Sequence, residues 1–268
     1  MSGANATAPA TLGKAARYAS GAALIAGGSG GIGQAIADLL AAGGSDIAVT
    51  YRGNREAAEG LVARLVAAGR RAAAFQLDLR DAEAVARVHA DVRDRFGGVH
   101  TAVYAAGPYI NMRYISDLAP KLFEETVGTD VFGAYNFLHH AIAGLRATRG
   151  VAIALGTPAI RRYAKKDVMS AAPKAALESL IKGIAAEEGR NGIRANMVGV
   201  GAISDGMFHK LVAQGDFDNR FIEATKSAVA LGRFGTAMEI AGVVDFLASD
   251  AASYVTGQTL MVDGGFAL

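Results

Sequence analysis

The chain has 268 residues, 51% hydrophobic and 19% charged, enough for one large α/β domain, and no linker or low-complexity tract interrupts residues 20–268. Lys and Arg number 27 against 25 Asp and Glu, a formal charge of +2 that excludes the basic footprint of a nucleic-acid binder. The absence of cysteine excludes disulfides and thiolate metal sites, and no apolar run approaches the roughly 20 residues that a membrane helix needs.

In chain order, residues 1–20 are rich in Ala, Gly and Thr and lack the apolar segment of a signal peptide. They read as a flexible arm on a cytoplasmic protein, and residues 21–268 as its single domain. The first apolar run, 22–26, reads as a buried strand, and 34–42 has helical spacing. Between them lies Ala26-Gly27-Gly28-Ser29-Gly30-Gly31-Ile32-Gly33, the strand–glycine loop–helix order of a dinucleotide-binding turn. Gly27 allows a positive φ, Gly31 leaves room for a pyrophosphate, and Gly33 lets the helix pack close to the strand. Free N–H groups at the helix start favour phosphate.

The second strand, 46–51, ends in Thr50-Tyr51-Arg52-Gly53-Asn54 with no acid for a ribose 2′-hydroxyl. The planar fork of Arg52 can pair with a 2′-phosphate instead, so NADPH/NADP+ is the expected cofactor. Asn54 and Asp81 are cap candidates for helices at 55–68 and 82–96. After the strand at 72–76, Asp78 in Leu77-Asp78-Leu79 can accept from an adenine amino group or cap the next helix. The strand at 101–105 ends in Ala105-Ala106-Gly107, small enough for the backbone to approach a cofactor. Helices at 120–145, 169–188 and 238–247 and strands at 151–155, 194–200 and 259–262 complete the pattern. Such alternation predicts a single-domain, Rossmann-type, doubly wound parallel sheet of about seven strands. Residues 204–220 break the rhythm near the expected carboxyl edge and read as a mobile substrate lid.

These motifs, in this order, resemble the short-chain dehydrogenase/reductase family over about residues 20–268. The likeness is carried by Gly27-x3-Gly31-Ile32-Gly33, Asp78, Ala106-Gly107, Lys174-Ala175-Ala176-Leu177, Arg194-x-Asn196, Gly232-Arg233-Phe234-Gly235 and the run from Thr256 to Gly265. It implies a nicotinamide cofactor, hydride transfer, and dimers or tetramers built on the helices at 120–145 and 169–188. The implied cofactor contacts are Gly27, Ser29, Gly31, Ile32, Gly33, Tyr51, Arg52, Asn54, Asp78, Leu79, Ala105, Ala106, Gly107, Lys174, Gly201, Ile203 and Ser204. In most members Tyr transfers the proton, Lys holds the ribose and lowers the Tyr pKa, Ser orients the carbonyl and Asn holds a relay water.

This chain departs from that set. Lys174 is present, but Ser170 stands four residues before it in place of Tyr, Thr157 in place of Ser, and Asp130 in place of Asn. Tyr104-Ala105 replaces the usual Asn pair and Val200-Gly201 the usual Pro-Gly. Ser170 is shorter than a phenol and a far weaker acid. Three readings follow: a reductase of a conjugated C=C (enone or enoyl thioester) whose proton donor lies elsewhere, with Tyr163 a candidate; a ketone reductase or alcohol dehydrogenase with a water relay through Ser170; or an NADP(H)-binding protein without redox turnover. Enoyl-thioester reductases of the family displace their Tyr to a spacing where this chain has Asp167, which does not match.

Tyr109, Met112, Tyr114, Ile160, Met207 and Phe208 fall in loops near the expected substrate, which points to an apolar, extended or thioester-linked small molecule. Arg161-Arg162 and Lys165-Lys166 form a basic patch suited to a CoA or carrier phosphate, or simply a solvated loop. His139, His140 and His209 lack suitably spaced carboxylates and read as no metal site.

Overall fold

The structure is a computed structural model that describes residues 17–108, 110, 112–206, 208, 212–213 and 218–268. Seven strands, β1 (Ala22–Ala26), β2 (Asp46–Tyr51), β3 (Ala72–Gln76), β4 (Val99–Tyr104), β5 (Val151–Gly156), β6 (Arg194–Val200) and β7 (Thr259–Val262), form one sheet. Their order is β3-β2-β1-β4-β5-β6-β7, and every neighbouring pair is parallel. This is the expected single-domain α/β class. The inner strands β1, β2, β4, β5 and β6 are buried on both faces, which is why they read as apolar runs rather than alternating patterns.

Successive side chains of β1 feed opposite layers. Leu24 packs with Val85 and Val92 of α3 (Ala82–Phe96), Phe137 of α5 (Gly133–Thr148) and Leu177 of α6 (Val168–Glu188). Ile25 packs with Ile36 and Leu40 of α1 (Gly31–Ala42), Leu61 of α2 (Arg55–Ala67) and Ile240 of the last helix, α8 (Ala237–Ala248). Caps set several starts. The Asn54 and Asp81 side chains accept from Ala57 and Ala84, and Thr236 with Glu239 forms a reciprocal box at α8.

Four differences from the sequence reading matter. The stretch 120–145 is not one helix: α4 (Pro120–Val127) meets α5 through a π-helical turn, Gly128–Phe132. A wider i→i+5 turn of this kind adds a residue to the turn and so rotates the side chains it carries. Helix α1 begins at Gly31, so the last glycines of the loop are its first turn. A helix, α7 (Asn219–Ala228), follows the expected lid and begins inside its last two residues; none of its residues is fully buried. Residues 207, 209–211 and 214–217 of that lid lie outside the described residues, as do 1–16 of the expected arm. The arm's last four residues are described, and two of them are anchored: Tyr18 is buried, stacks on His100 at 5.2 Å and donates to Asp245, with which the exposed Arg17 also pairs.

Candidate functional site

Strand order reverses at β1, with β2 on one side and β4 on the other, and a crevice opens beyond their carboxyl ends. In register, Ala26 pairs with Thr50 and Tyr104, so the loops after all three strands meet there. Gly27 turns the chain with φ +81°, and a Cβ on it would lie 2.8 Å from the Ala106 backbone. A Cβ on Gly33 would collide with the Gly27 carbonyl. These two contacts admit only glycine. Helix α1 carries no side-chain cap on its N-cap, Gly30, so its first N–H groups face the crevice unclaimed by any side chain. Ser29 uses its carbonyl to accept from Gln34. Ile32 is half-buried against the core. This cradle fits a pyrophosphate.

Beyond β2, Tyr51 is buried and Arg52 exposed. The Arg52 carbonyl accepts from Gln76 at 3.1 Å, and its guanidinium forms no hydrogen bond or ion pair among the described residues, although its charge reaches Asp78. Asn54 uses its carbonyl oxygen to cap α2. The Asp78 carboxylate accepts from the Arg80 guanidinium at 2.5 Å and from the Arg80 backbone N–H at 3.0 Å. Arg80 holds its pKa down to about 2. Part of the acceptor capacity expected for adenine is therefore already engaged. Leu79 lies under Gly133. Ala105 donates to the Ala26 carbonyl at 3.0 Å, and Ala106 and Gly107 continue along the crevice.

Across the crevice, Gly201 abuts Asp263, Ile203 bridges Gly235, and Ser204 donates to the Gly235 carbonyl. The next two residues return toward the phosphate cradle. Asp205 accepts from the Ala237 N–H at the start of α8, and the Gly206 backbone lies 3.2 Å from where a Gly31 Cβ would be.

The second cluster belongs to α6 and its neighbours. Ser170 and Lys174 are buried one turn apart on α6. The π-helical turn delivers Asp130, itself buried, so that Lys174 Nζ donates to Asp130 Oδ1 at 2.7 Å. Tyr104, at the end of β4, is fully buried; its hydroxyl donates to the Asp130 carbonyl at 3.2 Å and to Oδ1 at 3.3 Å. The Lys174 ammonium lies 5.4 Å from the Tyr104 ring centre. Burial and the Asp130 charge push the Tyr104 phenol well above its ordinary pKa of 10. Thr157 follows β5 in an extended conformation, and its hydroxyl accepts from the Ala159 N–H at 3.3 Å, which leaves its own proton to donate. Tyr163 is 53% exposed on the loop ahead of α6, with no side-chain partner among the described residues.

The structure thus gathers Asp130, Ser170 and Lys174 beside the crevice and leaves Tyr163 at the surface. Sequence reasoning noted Tyr104 only as a departure from the usual Asn and gave it no role; its bond to Asp130 assigns one.

Three of the four cations of the expected basic patch are committed. Arg161 pairs with Glu178, Arg162 donates to the Phe266 carbonyl at 2.8 Å, and Lys166 sits 5.0 Å over the Tyr114 ring. Lys165 is left without a partner among the described residues. Met112, Tyr114, Ile160 and Phe208 are described; Tyr109, Met207 and His209 lie outside the described residues. His139 and His140 pack edge to face on α5 with Tyr135. Among the described residues no group of three or more His, Asp or Glu could hold a metal ion, and no helix is long and apolar enough to cross a membrane.

A family model described as Enoyl-(Acyl carrier protein) reductase matches residues 26–267. The 3-oxoacyl-[acyl-carrier-protein] reductase FabG of Staphylococcus aureus is 32% identical over 251 residues, 91% of this chain and 96% of that protein. A solved short chain dehydrogenase from Burkholderia cenocepacia, in complex with NADP, is 31% identical with a TM-score of 0.84, covering 94% of this chain and 100% of that one. A blue fluorescent protein from a metagenomic library, solved with NADPH, is 32% identical with a TM-score of 0.82, covering 93% of this chain and 99% of that one.

Proposed function

The chain belongs to the short-chain dehydrogenase/reductase family of nicotinamide-dependent oxidoreductases, and from that premise we propose that it uses NADPH to reduce a conjugated C=C in an enone or enoyl thioester. The observation that carries this reading is the trio Ser170, Lys174 and Asp130. No phenol stands one turn before Lys174, and the charge that would acidify a phenol is engaged by a carboxylate at 2.7 Å. Such a site is poorly equipped to protonate the alkoxide of a reduced ketone. An enolate left by reduction of a conjugated C=C is a weaker base, delocalised onto an oxygen that Thr157 and Lys174 would stabilise.

NADPH is supported by the unpaired Arg52 and by the NADP and NADPH held in two similar structures. When bound, the cofactor supplies the hydride. The cradle from Gly27 to Gly33 would hold its pyrophosphate, Arg52 its 2′-phosphate with Tyr51 and Asn54 alongside, Asp78 and Leu79 its adenine. Ala105 to Gly107, Gly201, Ile203 and Ser204 would flank the nicotinamide half, and Lys174 its ribose. A cytoplasmic homo-oligomer belongs to the same reading. Phe132 and Tyr135, 62% and 53% exposed, leave an apolar stripe where α5 begins.

A second reading, carbonyl reduction through water at Ser170, is favoured by the 3-oxoacyl relatives. NADPH consumption is to be followed with enones, enoyl thioesters, 3-oxoacyl thioesters and simple ketones, with Lys174→Ala beside the wild type and cofactor affinity measured separately. Faster turnover of the conjugated substrates supports the proposal. Equal or faster turnover of ketones overturns it in favour of the second reading. Tight NADPH binding without turnover on any class makes this a non-redox NADP(H)-binding protein.

A further inference from the structure

We propose that Asp167 is the proton donor of this reaction, delivering a carboxyl proton to the substrate from the N-cap of α6. The inference rests on the reductase reading above and adds to it the acid that reading lacks.

Asp167 is the N-cap of α6, with a non-helical backbone (φ −106°, ψ 22°), and its carbonyl accepts from the Ser170 and Ala171 N–H groups. The helix it opens carries Ser170 and Lys174 three and seven residues on, about one and two turns along. Helical side chains lean toward the N-terminus, so Lys174 and Ser170 both reach in the direction of Asp167. The surrounding chain puts this end of the helix at the crevice. The Arg113 N–H donates to the Lys166 carbonyl at 3.2 Å, which fastens the loop after β4 against the residue before Asp167. The Asp167 N–H donates to Ala164 at 3.3 Å, in the loop that begins at Thr157. The loops after β4 and β5 therefore converge on Asp167.

Its carboxyl is left idle there. An Asp at a helix start ordinarily accepts from N–H groups of the first turn, but among the described residues the Asp167 side chain caps nothing and forms no ion pair. The nearby cations among the described residues are engaged elsewhere or turned to solvent: Lys174 on Asp130, Lys166 on Tyr114, Arg161 on Glu178, Arg162 on Phe266, with Lys165 and Arg113 exposed. Tyr163, four residues earlier, is exposed as well. The Asp167 carboxyl is half-buried with nothing to favour its charged form, and burial pushes its pKa up to about 7. An acid poised near working pH is what proton delivery requires.

The step balances. Hydride addition to the β-carbon breaks the C=C π bond and leaves an electron pair shared between the α-carbon and the thioester oxygen. The Asp167 O–H bond breaks, its proton forms the new C–H bond at the α-carbon, and the carboxylate recovers a proton from water.

The test uses the full chain with an enoyl thioester and NADPH, comparing wild type, Asp167→Asn and Asp167→Glu. Infrared difference titration of wild type against Asp167→Asn reads the carboxyl directly. We expect a protonated carboxyl band lost near pH 7, and a wild-type kcat that falls as pH rises through the same point. In Asp167→Asn, kcat falls about 100-fold with NADPH affinity unchanged, and Glu recovers part of the rate. A kcat for Asp167→Asn within threefold of wild type, or ionisation near the ordinary 3.8, overturns the assignment while leaving the reductase reading intact. If the wild type reduces no substrate class, that reading and this assignment fall together. If the Asn variant fails to fold, the wild-type titration and the Glu variant decide.

Discussion

Lys174 and Asp130 form a buried ion pair, 2.7 Å from Nζ to Oδ1, across two elements that meet only because the chain between α4 and α5 widens into a π-helical turn. Neither partner is solvated enough to stand alone. Removing one leaves an uncompensated buried charge, which costs about 3–5 kcal/mol. Asp130→Ala and Asp130→Asn each leave Lys174 uncompensated, so both are expected to lose about that amount in urea unfolding. A much smaller loss for Asp130→Asn, which still accepts from Lys174 and Tyr104, would show that the hydrogen bonds rather than the charge carry the pair.

Stability should fall on mild acidification because two histidines are buried neutral. Burial pushes His89 down to about 3 and His100 to about 4, against an ordinary 6.5. The unfolded chain takes up these protons below pH 6.5 and the folded chain does not, so stability is full above 6.5 and declines as pH falls toward 4. Each histidine contributes a slope of about 1.4 kcal/mol per pH unit in that window. His89→Phe should remove one such slope, since its Nε2 has no partner to lose. Urea midpoints from pH 4.5 to 6.5 decide it.

Asp167 acts with the opposite sign in the same window. Its folded pKa of about 7 lies above the ordinary 3.8, so the unfolded chain releases a proton that the folded chain keeps, and stability declines as pH rises from 4 to 7. Asp167→Asn should therefore steepen the acid-side loss by about 1.4 kcal/mol per pH unit. An unchanged slope would mean that the carboxyl ionises normally in the folded chain.

Arg52, exposed beyond β2, is the residue proposed to meet the cofactor's 2′-phosphate. Charge-assisted hydrogen bonds of this kind are worth about 1.5–3 kcal/mol, so Arg52→Ala should weaken NADPH binding about 10- to 100-fold. NADH affinity should scarcely move. Fluorescence titration of both cofactors measures the ratio, and equal losses for the two would refute the assignment.

Gly33→Ala places a methyl group against the Gly27 carbonyl. Overpacking of this type costs about 1–3 kcal/mol, and here it also pries open the phosphate cradle. A lower melting temperature together with a weaker NADPH Kd is expected. A lower melting temperature alone would place the cradle's geometry outside Gly33's control.

The sheet was legible because parallel strands buried on both faces leave uninterrupted apolar runs, and the glycine cradle because its contacts tolerate no Cβ. The break at 128–132 was not legible: helix continues on both sides of the π-helical turn, so 120–145 reads as one helix. Helix α7 escaped for a related reason, since none of its residues is fully buried. Tyr104 illustrates a deeper limit. Inside an apolar strand a tyrosine reads as core, and its hydroxyl acquires a role only when Asp130 arrives from an element 26 residues away. Asp167 likewise looks like an ordinary helix start until the structure shows a carboxyl with nothing to accept.

The bond from Arg162 to the Phe266 carbonyl has a practical side. The final residues are a wall of the loop that leads into α6, fastened by Asp263 accepting from Gly265 and Ala267 at 2.9 Å each. A purification tag fused after Leu268 would pull on that wall, and through Arg162 on the approach to Ser170 and Lys174. Rate constants gathered on a protein tagged there would describe a remodelled entrance, so assays belong on material whose added sequence has been cleaved away or moved to the other end.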